Sequence, residues 1–206
     1  MTVAGQLPSQ PPLRAAQPRD AEALLDLERR TNTVAFARIF DPAAHPFPEG
    51  DVLLRWQRLL DDPDVVIMVV PTSDRLRGVV CVQLRQGRVE HLIVEPAAWG
   101  SGLAAGLMSA GVERLAAAGV RRAELTCLVE NHRARAFYAK HGWSETGPDG
   151  RAPWPPYPQQ IALTRGLAAC RARGTHDPIG ETTAAATAAP QAERPRAARP
   201  GTEEIT

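Results

Sequence analysis

The residues from Val94 to Met108 read Val-Glu-Pro-Ala-Ala-Trp-Gly-Ser-Gly-Leu-Ala-Ala-Gly-Leu-Met. Their pattern predicts a strand, a glycine loop and then a helix. Such a loop points the free N–H groups of a helix N-terminus outward, and those donors, with the helix dipole behind them, suit a phosphate. The same glycines also fit a turn that merely lets backbone pack closely, so the loop alone names no ligand. A second segment, Asn131 to Trp143, reads Asn-His-Arg-Ala-Arg-Ala-Phe-Tyr-Ala-Lys-His-Gly-Trp. Here Asn131 is suited to cap a short helix and Gly142 to end it. Cys127 has no paired base in view and is not read as a nucleophile.

Taken together, Trp99-Gly-Ser-Gly-Leu-Ala104 and Asn131 through Phe137-Tyr138 to Gly142-Trp143 resemble the GNAT superfamily of acyl-CoA-dependent N-acyltransferases. Gly102 and Ala104 match that family's glycine signature. Trp99 departs from it, standing where a glutamine or arginine is usual, but loop amides do not depend on that side chain. The resemblance covers most of residues 13–168, including the opening Leu13-Arg14-Ala15-Ala16 ahead of Asp20. It implies an α/β (α+β) GNAT fold: a mixed, mostly antiparallel central sheet, splayed at the acyl-CoA site and flanked by about four helices.

The resemblance also implies roles. Trp99, Gly100, Ser101, Gly102, Leu103 and Ala104 would cradle the pyrophosphate. The backbone of Leu92, Ile93 and Val94 would pair with the pantetheine arm, and an amide of that strand would polarise the acyl carbonyl. Trp99 would cover the adenine side. Asn131 would contact the arm, and Tyr138 would give a proton to the departing CoA thiolate. The implied reaction moves an acetyl group from acetyl-CoA, a co-substrate, to a small-molecule or peptide primary amine by direct attack in a ternary complex. No metal is expected.

An amine with a pKa of about 10 arrives protonated, so the attack needs a base. Glu90 is the candidate: strict strand alternation places it on the face of Leu92 and Val94, and a carboxylate on this strand serves as base in a number of GNAT enzymes. His91 then points the other way and is read as structural. His45 is a candidate acceptor contact, while His132 and His141 read as solvated. Trp154 and Tyr157 are expected in a stiff proline loop beside the acceptor cleft, with Phe36, Phe40 and Trp56 on its other wall.

Two alternatives belong to other classes. One is a non-catalytic acyl-CoA sensor on the same fold. The other is a dinucleotide-binding oxidoreductase, since Gly100 to Gly106 resembles a Rossmann loop and Glu130 ends the next strand.

These residues need elements to position them. A helix is expected from Asp20, with Leu24, Leu27 and Thr31 on one face, and a second from an Asp51 cap, with Val52, Trp56 and Leu59. Strands follow at 65–70, 76–84 and 88–94, then a helix at 103–118, a strand at 123–129, the Asn131 helix, a strand from Trp143, a loop at 147–158 and a strand at 160–164.

At 206 residues the chain suits one domain plus extensions. The domain is expected at 13–168, with a disordered N-terminus at 1–12 and a disordered Ala/Pro/Arg-rich tail at 169–206. A net charge of +1 gives no nucleic-acid footprint. No apolar run suits a membrane span and no leader is visible. Three cysteines are too few for a disulfide framework. The expectation is a cytoplasmic monomer or homodimer.

Overall fold

The structure, a computed structural model, describes residues 13–168. The segments 1–12 and 169–206, expected to be disordered, and Cys170 with them, lie outside the described residues. The elements are β1 (Arg14–Ala15), α1 (Ala21–Ala35), α2 (Glu49–Asp61), β2 (Val65–Pro71), β3 (Leu76–Gln83), β4 (Arg88–Val94), α3 (Leu103–Ala117), β5 (Arg122–Leu128), α4 (His132–Lys140), β6 (Ser144–Arg151) and β7 (Gln159–Gly166). The seven strands form one sheet in the order β1-β2-β3-β4-β5-β7-β6. Neighbours run antiparallel except β4 and β5. A doubly wound parallel sheet is thereby excluded, and the Rossmann reading of the glycine loop with it.

Alternation along the strands builds a core on each face. Val80 and Val82 of β3 pack with Leu107, Met108 and Leu115 of α3. Val79 and Cys81 pack with Leu24 and Leu27 of α1 and Val52 and Trp56 of α2. The central strands read as continuous Val/Ile runs because both faces are covered.

Helix α3 lies close on β3, and Gly111 allows it. A Cβ at that position would stand 2.8 Å from Cγ2 of Val80 and 3.1 Å from Cγ1 of Val82. Both valines are stiff and fully buried. The Gly111→Ala variant should therefore lose about 1–3 kcal/mol of stability by overpacking, outweighing the roughly 1 kcal/mol that alanine brings to a helix. Urea titration followed by circular dichroism measures this; an unchanged or higher midpoint contradicts it.

Helix α1 begins directly after Asp20, as expected, while two other local expectations change. The Asp20 carboxylate takes two hydrogen bonds from the Arg14 guanidinium, at 2.7 and 2.8 Å, and one from the Gln17 N–H at 2.7 Å. Arg14 thereby holds it below the usual carboxylate range and ties β1 to α1. Helix α2 starts at Glu49 after Pro48, not at an Asp51 cap. Glu49 and Asp51 lie instead in its first turn, where their charge suits the helix dipole. Finally, the strand after α4 continues to Arg151, through the expected loop. Gly147, Pro148 and Gly150 are tolerated because β6 is the edge strand and its register slips twice against β7.

Candidate active site

Strand β4 is the hinge of the site. Its pairing with β3 skips a residue: Cys81 faces His91, whereas Val82 faces Val89. This bulge places Glu90 outside the ladder. Val89, not Glu90, therefore shares the layer of Leu92 and Val94, which corrects the alternation expected for Glu90. A bulge also bends and twists its strand. Immediately before it, at Arg88 opposite Glu124, the ladder with β5 ends. Beyond that point β4 and β5 separate, so the edge of β4 from Glu90 to Val94 faces no strand. This is the splay expected of the sheet.

A cavity of about 660 Å³ fills the splay and joins most of the expected site residues: Glu90, Leu92–Val94, Trp99, Gly100, Gly102, Ala104, Asn131 and Tyr138. Ser101 and Leu103 do not line it; the Ser101 hydroxyl donates to the Ala98 carbonyl at 2.7 Å, and Leu103, the first residue of α3, is buried against the sheet.

The glycine loop has the conformation its residue types suggest. Gly100 and Gly102 adopt φ of 79° and 87°, a region other residues enter only with strain. Gly102 is the residue before α3 and offers no side-chain cap. The Leu103 N–H makes a long 3.4 Å hydrogen bond to the Ser101 hydroxyl, and the next N–H groups of α3 are left for another acceptor.

The Trp99 side chain lies between the end of β4 and α4. Its Nε1 donates to the Val94 carbonyl at 2.7 Å, and the Arg133 guanidinium stacks over its ring at 3.8 Å. Loop and α4 are thus bridged across the splay. Arg133 and Lys140 both line the cavity. Neither was singled out in the sequence, where two basic residues on an arginine-rich helix carry no signal.

Asn131 caps α4, its Oδ1 accepting the Ala134 N–H at 3.2 Å. Tyr138, nine-tenths buried, is set edge-on to Phe137 and Trp143. Burial raises its phenol well above the usual range, so it stays protonated. Burial also pushes the Cys127 thiol up to about 11, which agrees with its having no nucleophilic role. Glu95, just past β4, is 3% exposed and held by Arg30, Arg75 and Arg77 at 3.1–3.3 Å. It fastens the end of β4 to α1 and β3.

The other wall comes from α1. Glu28 and Thr31, one helical turn apart, line the cavity together with His91. His91, read from the sequence as structural, thus stands at the cavity wall. Trp56, expected on the cleft wall, is fully buried instead: its ring lies 4.7 Å from His91 and its Nε1 donates to Glu28 at 2.8 Å. Glu28 was missed, although a glutamate on the Leu24–Leu27 stripe was the available signal. His141 is half-buried rather than solvated, with Nδ1 2.7 Å from the Phe137 carbonyl.

A second cavity, of about 880 Å³, also touches Val34 and Ala35 and is bounded by Arg38, Glu130, Arg151 and Tyr157. Tyr157, in the proline loop, is one of its lining residues. Phe36 lines the first cavity, with Phe40 edge-on to it at 6.1 Å. His45 and Trp154 line neither cavity.

Residues 21–143 match the acetyltransferase (GNAT) family. The chain belongs to that family. No curated protein matches it. Among solved structures, it is similar to the PaiA N-acetyltransferase of Thermoplasma acidophilum in complex with coenzyme A, at 15% identity and a TM-score of 0.61, covering 76% of this chain and 98% of that one. The ribosomal-protein-S18-alanine N-acetyltransferase of Escherichia coli gives 15% identity and a TM-score of 0.59 over 80% and 99% of the two chains. A variant of the spermidine N-acetyltransferase of Vibrio cholerae gives 17% and 0.55 over 75% and 94%. At such identities the likeness is one of fold. Among the described residues of this GNAT chain, no helix is long and apolar enough to cross a membrane, and no group of His, Cys, Asp and Glu is placed to hold a metal.

Proposed function

We propose that this GNAT protein is an acetyl-CoA-dependent N-acetyltransferase acting on a primary amine of a small molecule or peptide. The observation that carries the reading is the splay of β4 from β5, opening into one cavity with the glycine loop and Tyr138. An extended thioester arm needs an unpaired strand edge, its pyrophosphate needs clustered N–H donors, and its leaving sulfur needs an acid. All three open onto that space. A solved structure of similar fold contains coenzyme A.

In this reading the pyrophosphate sits on the amides of the loop from Trp99 to Ala104, near the cations Arg133 and Lys140. Trp99 holds the loop to Val94 and carries Arg133. The pantetheine arm follows Leu92, Ile93 and Val94 and meets Asn131. The amine enters from the cavity bounded by Arg38, Glu130 and Tyr157. It loses a proton to the polar group on β4 and α1, in which Glu90 is placed, and attacks the thioester carbonyl. A β4 amide stabilises the oxyanion. The C–N bond forms, the C–S bond breaks, and Tyr138 donates to the sulfur.

Proteins of this fold are described as acting on spermidine and on a ribosomal-protein alanine, so the acceptor is drawn here only as an amine. The two described cysteines, Cys81 and Cys127, are buried and unpaired, in keeping with a cytoplasmic protein.

Calorimetry with acetyl-CoA, followed by CoA-thiol release in the presence of primary amines, tests this function. Binding together with amine-dependent release is expected. Tight binding without release from any amine would leave a sensor instead.

A further inference from the structure

We propose that His91 is the group that takes the proton from the amine, with Thr31 holding the amine or the water between them. This rests on the acetyltransferase reading above.

Two orphaned atoms carry the argument. His91 Nε2 and Thr31 Oγ1 are both shielded from solvent, and neither has a hydrogen-bond partner. They come from different elements, β4 and α1, yet both residues line the cavity that holds Tyr138 and the free edge of β4. Buried polar groups are almost always satisfied, and an orphan in a polar cavity marks a place for water or ligand. Two cavity-lining residues, each with an orphan atom just beneath the cavity wall, suit after a small side-chain rotation a group that can both donate and accept. An amine passing from its charged to its neutral form is such a group.

The surroundings hold the imidazole ready. Trp56 lies against its ring at 4.7 Å. Trp56 is itself fixed by its 2.8 Å hydrogen bond to Glu28. Glu28 is committed further, to Arg55, whose Nη2 reaches both carboxylate oxygens at 2.6–2.7 Å. It is thus occupied as an acceptor but still supplies negative charge. Glu90 is half-buried and shared with Arg88 at 3.3 Å.

The charged groups facing His91 are therefore Glu28 from α1, Arg55 from α2 and Glu90 from β4 itself. Burial, with Arg55, holds the imidazole below its usual range, while Glu28 and Glu90 act in the opposite direction. The ring is neutral at rest and able to accept. Once it is protonated, the two carboxylates favour the cation.

The protons balance as follows. The ammonium gives one proton to His91, which releases it to water. The neutral amine then attacks, forming the C–N bond, and the C–S bond breaks. Tyr138 gives its proton to the sulfur and regains one, through water, from the nitrogen of the tetrahedral intermediate. The net products are the amide, CoA thiol and one proton.

The test uses the full chain, saturating acetyl-CoA and four amines: propylamine, lysine amide, spermidine and an alanine-terminated peptide. Rates are expressed per free amine from about pH 5 to 9, which spans histidine titration. The wild type should show an acid limb below the ordinary histidine value of 6.5. The His91→Gln variant should lose about 100-fold in kcat/KM together with that limb, while its acetyl-CoA affinity stays unchanged by calorimetry. Added imidazole should restore part of the rate in His91→Ala. In Glu90→Gln the limb should persist and move to lower pH, because a charge favouring the imidazolium is gone. The near-isosteric Thr31→Val should raise KM for the amine and leave the limb in place.

A His91→Gln protein with the wild-type rate overturns the proposal. So does a limb that survives in His91→Gln and disappears in Glu90→Gln, which makes Glu90 the base. Should the histidine variants not fold, the His91 imidazole resonances of the wild type bound to acetyl-CoA decide: a titration midpoint that coincides with the acid limb supports the proposal, and one that departs from it overturns the proposal. A wild type that binds acetyl-CoA but acetylates no amine overturns the transferase reading itself, and His91's role falls with it.

Discussion

Replacing Tyr138 with phenylalanine should lower kcat by about 100-fold or more, the usual worth of a positioned general acid, and leave acetyl-CoA affinity within a few-fold. The substitution removes one oxygen. The ring keeps its edge-on contacts, 5.5 Å to Phe137 and 6.2 Å to Trp143, so the thermal midpoint should change little. The split between kcat and affinity separates an acid from a packing tyrosine.

The raised phenol pKa has a definite sign. Its cause is first burial, then the nearby Cys127. Above the ordinary value of 10 the phenol remains protonated, so the wild type should show no loss of the acid there. A higher pKa makes the phenol a weaker donor in water. At the same buried end of the cavity, however, the departing sulfur anion is also poorly solvated and correspondingly more basic. Stopped-flow release of CoA thiol measures the step. A Tyr138→Phe enzyme with the wild-type kcat would remove Tyr138 from the chemistry.

The Gly102→Glu variant should bind acetyl-CoA at least about 1000-fold more weakly. A Cβ built on Gly102 meets no atom within 4 Å, so the side chain would project into the open space at the start of α3. Its carboxylate would then compete with the pyrophosphate for the same N–H groups. Repulsion between unit charges about 4 Å apart at a protein surface costs about 4 kcal/mol, roughly three powers of ten. The left-handed backbone at φ 87° adds strain to any side chain. Gly102→Ala isolates that strain and should stay within about tenfold of wild-type affinity. Isothermal titration on both variants makes the comparison. Undiminished affinity in Gly102→Glu would show that the phosphate sits elsewhere.

Much of this could be read along the chain. The Val/Ile runs of β2 and β3, the apolar face of α3 and the turn at Gly87 are local patterns, and the elements fall within a few residues of expectation. Asn131 caps α4 as its residue type requires, and Tyr138 faces the cavity as the resemblance implies. What failed to read had nonlocal causes. Alternation assigned Glu90 to the face of Leu92 because nothing in the sequence marks the bulge; the skip exists only in the register between Cys81 and Val82 of the neighbouring strand. Strand β6 runs through Gly147 and Pro148 because it is an edge, a property of sheet order rather than of composition.

The glycine loop, the Asn131–Trp143 pattern and the periodicities of the core elements were enough to point to the family and to the residues proposed here as phosphate seat and acid. These are properties of short segments, where residue type and backbone conformation act together. The acceptor side was not readable in that way. His91 becomes a candidate base only because the separation of β4 from β5 opens a cavity beside it, a turn of α1 brings Thr31 there, and Trp56 of α2 backs its ring. Those residues are 31, 56 and 91 in the chain. Their chemistry depends on which atoms are left without partners once all three elements have packed.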